Sequence, residues 1–167
     1  MLKKIALILL LIAPMSVFAQ KFGHIKTQEI VTAMPEYTKA QTDISTMQKQ
    51  FEDEIKRASE EVNKKYAEYQ QDQANLPKNI QERRQKELKD LTQKGKQLQQ
   101  DAEQQLQQSW MQMLEPIVKK VEEAIKAVGK EGGYTYIFDL NATNIPYVSE
   151  TLSTDVTATV KAKLGIK

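Results

Sequence analysis

Between Pro35 and Pro77 the sequence contains neither glycine nor proline, and apolar residues return at every third or fourth position. The stripe runs Ala40, Ile44, Met47, Phe51, Ile55, Ala58, Val62, Tyr66, Tyr69, Leu76. That spacing predicts one continuous amphipathic helix. Some 40 residues at ~1.5 Å each make it roughly 60 Å long. A second stretch carries Ile80, Leu88, Leu91, Leu98, Ala102, Leu106, Trp110, Met113, Ile117, Val121, Ala124 and Val128, and is expected to stop at Gly129. Its mean step of about 3.6 residues, not 3.5, predicts helices with little supercoil. Only Asn75 to Asn79, with Pro77 at the centre, separates the two stretches, so they must run antiparallel as neighbours.

The hairpin is uneven along its length. Near the tip, between Asn75 and Gln97, only Leu76, Ile80, Leu88 and Leu91 are apolar, and Gly95 is expected to interrupt the helix. Gln97 to Gln112 contains eight glutamines. At the other end Trp110, Met111, Met113, Leu114, Ile117 and Val118 are densely apolar. Pro116 lies in that root and removes one helical hydrogen bond. Either the helix bends there or it breaks; the apolar period keeps its phase across the proline, which favours a bend.

The segments flanking the hairpin are short. Phe22 to Thr27 alternates as a strand does, and Gln28 to Met34 has helical spacing up to Pro35, which suits the first turn of the long helix. After a turn at Lys130 to Gly133, Tyr134 to Asp139 is rich in aromatic and β-branched residues and predicts a strand. Ile145 to Val148 predicts a second short strand, in a hairpin with the first. Ser153-Thr154-Asp155 is expected to cap a last helix bearing Val156, Val160 and Leu164 and ending at Gly165. Three short strands and a few helical turns make a small core, which calls for oligomerisation.

Charge and composition exclude several classes of function. Residues 1–19 combine Lys3 and Lys4, an apolar run from Ile5 to Ile12, and Val17-Phe18-Ala19 before Gln20, the pattern of a cleaved secretory signal peptide. The apolar run is too short for a membrane span. Removing Lys3 and Lys4 takes 24 basic residues to 22, against 22 acidic, so the exported chain is neutral. No overall field draws it to nucleic acid. The absence of cysteine excludes disulfides and a lipidated N-terminal cysteine. His24 is the only histidine and has no companion ligand, so neither a metal site nor base catalysis is expected. No phosphate-binding loop and no nucleophile beside a base are present, and an enzyme is not expected. Asn141-Ala142-Thr143 fits a glycosylation sequon, a pattern common by chance. Locally, Lys78, Arg83, Arg84, Lys86, Lys89, Lys94 and Lys96 outnumber Glu82, Glu87 and Asp90 at the arm tip. Such a tip suits anionic lipid or lipopolysaccharide. Its ordinary reading is a solvated helix face with pairs such as Glu82–Lys86 and Asp90–Lys94.

The order of segments resembles the Skp/OmpH family of periplasmic chaperones over nearly the whole exported chain. The resemblance rests on Phe22-Gly23-His24-Ile25, Glu29-Ile30, Met34-Pro35-Glu36-Tyr37 and the charged hairpin. It continues in Leu114-Glu115-Pro116-Ile117, Ala124-Ile125, the strand at Tyr134 and the closing Ser153-Thr154-Asp155-Val156. It implies an α+β, mostly α fold: a long antiparallel helical hairpin, or tentacle, projecting from a small β-rich trimerisation body in a prefoldin-like jellyfish. It also implies a homotrimer that holds unfolded outer-membrane proteins between its arms without ATP, cofactor or metal. Relatives are strongly basic overall and this chain is not, which weighs against purely electrostatic capture.

On this basis residues 20–35 and 110–167 are expected to form the association body, and 36–109 the arm, with its tip at 75–79. Phe51, Ile55, Val62, Tyr66, Tyr69, Leu98 and Leu106 are candidate cavity-wall residues; the bland reading is that they only hold the two helices together. Phe22, Ile25, Tyr134, Tyr136, Phe138 and Tyr147 are candidates for the trimer body. The rival functions are a structural coiled-coil spacer of the envelope and a lipid- or lipopolysaccharide-binding protein. A spacer requires a continuous, rigid apolar seam. A nucleic-acid binder would need aromatics among its basic residues, and the tip has none.

Overall fold

The structure, a computed structural model, describes residues 20–166. The expected signal peptide at 1–19 lies outside them. The chain starts with β1 (Lys21–Ile25) and the two-turn helix α1 (Thr27–Ala33). Pro35 then opens α2 (Pro35–Asp72), following an extended Met34 as expected of an N1 proline. A single 3₁₀ turn (Gln73–Asn75) and Pro77 lead into α3 (Lys78–Gly132), 55 residues long. At ~1.5 Å per residue α2 spans ~57 Å and α3 ~82 Å. The chain closes with β2 (Tyr134–Asp139), β3 (Ser153–Asp155) and α4 (Thr157–Lys163). No helix among the described residues is long and apolar enough to cross a membrane.

α3 is continuous through both suspected interruptions. Pro116 lies inside it, and Ile117 and Val121 beyond the proline are buried on the same stripe, so the helix does not break there. Gly95 is helical too, correcting the expected interruption; a glycine costs a helix only about 1 kcal/mol, which fifty neighbours outweigh. The helix also passes Gly129 and ends at Gly132. The left-handed residue is Gly133 (φ 65°), and the intervening turn is held close to β2, where a Cβ on Gly132 would lie 2.4 Å from the Tyr134 ring.

The three strands form one sheet in the order β2-β1-β3, with both pairings parallel. Two expectations are corrected here. Ile145 to Val148 is not a strand and makes no hairpin with β2; it belongs to an irregular connection from 140 to 152. Ser153-Thr154-Asp155, expected only as a cap, is instead the third strand beside β1. Parallel pairing needs a crossover rather than a tight turn, and the 140–152 segment supplies it. Asp155 keeps part of its expected role, because its Oδ1 accepts the Thr157 N–H at 2.8 Å as α4 begins.

The core lies under one face of this sheet. Ile25 from β1, Ile30 from α1, Met34 and Ala40 from the start of α2, and Val156 and Val160 around α4 meet Ile117, Val121, Ala124 and Val128 of α3. Helix α1 is only seven residues long and has no cap of its own. Its first N–H groups are satisfied from far along the chain: Thr27 N–H donates to Asp139 Oδ1 at 3.3 Å and Gln28 N–H to Asn141 Oδ1 at 3.2 Å. The Thr27 hydroxyl also donates to Asp139 Oδ2. The end of β2 thereby caps a helix more than a hundred residues earlier.

Candidate functional site

Two surfaces carry exposed apolar side chains, the hairpin arm and the outer face of the sheet. At the root of the arm the helices are tied into the core. Tyr37 meets Trp110 edge-on at 5.7 Å between ring centroids, and Lys120 Nζ donates to Glu36 Oε1 at 2.6 Å. The hydrogen bond from Lys120 holds the Glu36 carboxyl below its usual range. A groove of about 540 Å³ runs beside this root, lined by Val31, Trp110, Leu114, Val118 and Ile125 together with Thr27 and Asp139.

Further out, α2 and α3 pack chiefly on each other. Of the candidate cavity-wall residues, Phe51, Ile55, Val62, Leu98 and Leu106 are half-buried: each gives part of its surface to the seam and leaves part to solvent. Tyr66 is 52% exposed. Tyr69 differs from the others. Only 5% of it is exposed, and its hydroxyl accepts from Gln85 Nε2 at 2.7 Å, so it belongs to the seam. Between residues 40 and 110, only Tyr69 and Ala102 are fully buried in the arm. A shallow cavity of about 230 Å³ opens between Ile55, Ala58 and Val62 on one helix and Thr92, Gly95 and Gln99 on the other. Nothing lies within 4 Å of where a Gly95 Cβ would stand.

At the tip the charges pair across the seam instead of along one helix. Lys65 Nζ donates to Glu87 Oε1, and Arg84 lies 3.9 Å from Asp72. The bond to Lys65 holds the Glu87 carboxyl low and the Lys65 ammonium high. The expected Glu82–Lys86 and Asp90–Lys94 pairs are not formed within 4 Å among the described residues. Lys78, Arg83, Lys86, Lys89, Lys94 and Lys96 are left without an ion pair among the described residues and all but Arg84 of the basic set are exposed. The 3₁₀ turn is fastened by Gln81, whose Nε2 donates to the carbonyls of Gln73 and Leu76 at 2.9 Å.

The outer sheet face is aromatic. The register puts Phe22 opposite Tyr136 and His24 opposite Phe138, while Gly23, Ile25 and Ile137 turn inward. Phe22 stacks on Tyr136 at 6.4 Å and Tyr136 on Phe138 at 5.9 Å. Among the described residues no helix covers these rings, and Tyr136 remains 59% exposed and Phe138 41%. The 140–152 connection adds Tyr147, 79% exposed, and Leu152, 77% exposed. Together with Ile145 and Val148 they border a largely apolar pocket of about 390 Å³ against Phe22, His24 and Phe138. Of the six candidate body residues, Phe22, Tyr136, Phe138 and Tyr147 therefore meet on or beside this outer face. Ile25 and Tyr134 belong to the inner packing, where Lys21 Nζ sits 4.2 Å above the Tyr134 ring.

His24 Nδ1 lies 2.9 Å from Ser153 Oγ, and Nε2 is 3.9 Å from Asp155 Oδ2. Partial burial raises the Asp155 carboxyl, but hydrogen bonds from Thr157 and the fields of His24 and Lys26 outweigh it and hold the group below its usual range. No cluster of three metal-ligating side chains occurs among the described residues.

A sequence model of the family described as "Outer membrane protein (OmpH-like)" matches residues 21–164. The fold is similar to that of an OmpH-like protein from Caulobacter crescentus CB15, whose crystal structure is described as that of a putative outer membrane chaperone. The TM-score is 0.74 at 12% identity, over 87% of this chain and 83% of that one. A search among curated proteins gave no match.

Proposed function

The chain belongs to the OmpH-like outer membrane protein family, and from that membership we propose that it is an ATP-independent periplasmic holdase. Three copies associate through the aromatic outer faces of their sheets, and their arms enclose unfolded outer-membrane β-barrel proteins. In this reading residues 20–35 and 110–167 are the association body and 36–109 the arm.

The observation that carries the reading is where apolar surface is left bare. On the sheet it is concentrated, aromatic and two-dimensional, the character of a stable interface. Along the arm it is thin and drawn out over half-buried Phe51, Ile55, Val62, Leu98 and Leu106, with Tyr66 exposed. An unfolded β-barrel chain exposes apolar strands with unpaired edges. A surface of many weak apolar contacts holds such a chain without selecting one sequence, and three arms multiply those contacts into avidity. Release then needs no nucleotide, because folding of the client removes the surface that was held.

A rigid envelope spacer fits less well, since the seam opens at Gly95 and carries only two fully buried residues. The unpaired lysines at the tip favour a second, auxiliary contact with anionic lipid or lipopolysaccharide. Replacing Lys86, Lys89, Lys94 and Lys96 by Gln should abolish flotation with anionic vesicles and leave oligomer mass unchanged.

The test of the main reading is light scattering. An unfolded outer-membrane protein diluted from urea should stay in solution at a slight molar excess of trimer. Aggregation at the rate seen without the protein would overturn the holdase.

A further inference from the structure

The chain's only histidine stands on the face assigned above to assembly. His24 is on β1, the middle strand of the sheet, and its side chain is only 14% exposed before any second copy arrives. Phe138 flanks it on β2, and Tyr147 and Leu152 lean over the same apolar pocket. We propose that protonation of His24 drives the assembly apart, so that the oligomer is stable near neutral pH and dissociates in mild acid. This inference rests on the homotrimer reading and on the sheet face being its interface.

The physical argument compares the two charge states of one ring. Neutral imidazole is satisfied where it stands: Nδ1 shares a hydrogen bond with the Ser153 hydroxyl at 2.9 Å, and Nε2 lies 3.9 Å from Asp155 Oδ2. Packing further copies against Phe22, Tyr136 and Phe138 removes water from around the ring. A neutral ring loses little by that, whereas an imidazolium loses its hydration. Three faces meeting at one axis also bring three such charges together.

The opposing group is Asp155 on β3. Its side chain is 48% exposed, and its carboxyl is already held low by hydrogen bonds from Thr157 and by the fields of His24 and of Lys26 from the end of β1. Solvent screening limits what it returns. The other ionisable groups on this side are the phenols of Tyr136 and Tyr147, and Glu150 is the only charged side chain of the 140–152 segment. The sign follows: the dissociated chain binds more protons than the assembled one, so assembly weakens as pH falls. With up to one proton taken up per copy, the trimer dissociation constant rises at most ~1,000-fold per pH unit.

The exported protein, purified without a histidine tag, is sedimented over a range of concentrations at pH 7.5 and 5.5, beside His24→Gln. The wild type should be a trimer at pH 7.5, with a dissociation constant at least ~10-fold higher at pH 5.5. His24→Gln keeps a hydrogen-bonding partner for Ser153 and cannot take up a proton, and its constant should change less than about twofold. A wild-type trimer indifferent to pH would overturn the switch and leave the assembly standing. A monomer at both values would overturn the assembly and the switch with it. If His24→Gln retained the wild-type response, other groups would be responsible. Should that variant fail to assemble, the single histidine ring signal in the wild-type NMR spectrum decides. It must titrate at lower pH in concentrated, assembled protein than in dilute, dissociated protein; equal or reversed midpoints refute the proposal.

Discussion

Replacing Tyr136 by Ser tests the aromatic sheet face as the site of assembly. The ring is 59% exposed in the single chain. An aromatic residue offers ~200 Å² for burial, so roughly 120 Å² of Tyr136 remains to be covered by another copy. At ~25 cal/mol per Å² that surface contributes about 3 kcal/mol per copy, and about 9 kcal/mol to a trimer if covered completely. Half of that figure still raises the trimer dissociation constant by about three orders of magnitude. The folded chain loses much less. Tyr136 gives up its stacking on Phe22 and Phe138, about 1 kcal/mol for each contact, while Ile137 beside it still packs inward on the core. Tyr136→Ser should therefore sediment as a monomer at concentrations where the wild type is a trimer, with an unchanged helical circular dichroism spectrum. A Tyr136→Ser trimer with a dissociation constant within tenfold of wild type would refute the reasoning and move the interface elsewhere on the body. Phe138→Ser, with 41% of the ring exposed, should give a smaller shift in the same direction.

Other perturbations address how the body holds the arm. Asp139→Ala removes the acceptor for the Thr27 N–H and hydroxyl and should cost about 1–2 kcal/mol in a urea titration; an unchanged midpoint would show that α1 needs no cap from β2. Gly132→Ala forces a methyl group to 2.4 Å from the Tyr134 ring and should destabilise by about 1–3 kcal/mol, although alanine favours helix elsewhere. The Glu36 carboxyl is held low by Lys120, so its contribution is complete above the ordinary carboxylate range and fades as pH falls through the depressed folded value. Because the pair is exposed at the surface, thermal melts at pH 7 and pH 3 should show only a small loss from it, absent in Lys120→Gln.

How much of the molecule was legible in advance follows from the range of the forces involved. The long helices were legible because dozens of residues repeat one apolar period, and the tip turn because Pro77 sits between two such runs. Pro35 at the first turn and the strand at Tyr134 rest on equally local chemistry. The site was less legible. The aromatic strand drew attention to Tyr136 and Phe138, but whether a side chain faces the core or solvent depends on register, which β1 imposes. Tyr69 and Phe51 look alike in the stripe. In the structure Tyr69 is buried with its hydroxyl on Gln85 of the opposite helix, while Phe51 stays half in solvent.

The antiparallel hairpin, its dense root and its thin tip follow from local pattern, since helix formation and amphipathic pairing are specified over a few neighbouring turns. Tertiary structure alone decided the sheet. Ser153–Asp155 is a strand because it pairs in parallel with β1, while the more strand-like Ile145–Val148 pairs with no strand and stays irregular. The cap that Asp139 gives to Thr27, the ion pair of Lys65 with Glu87, and the place of His24 beside Ser153 likewise join residues distant along the chain. A three-residue strand or a single carboxylate carries too little local preference to choose its own partner, so the packed body makes that choice for it.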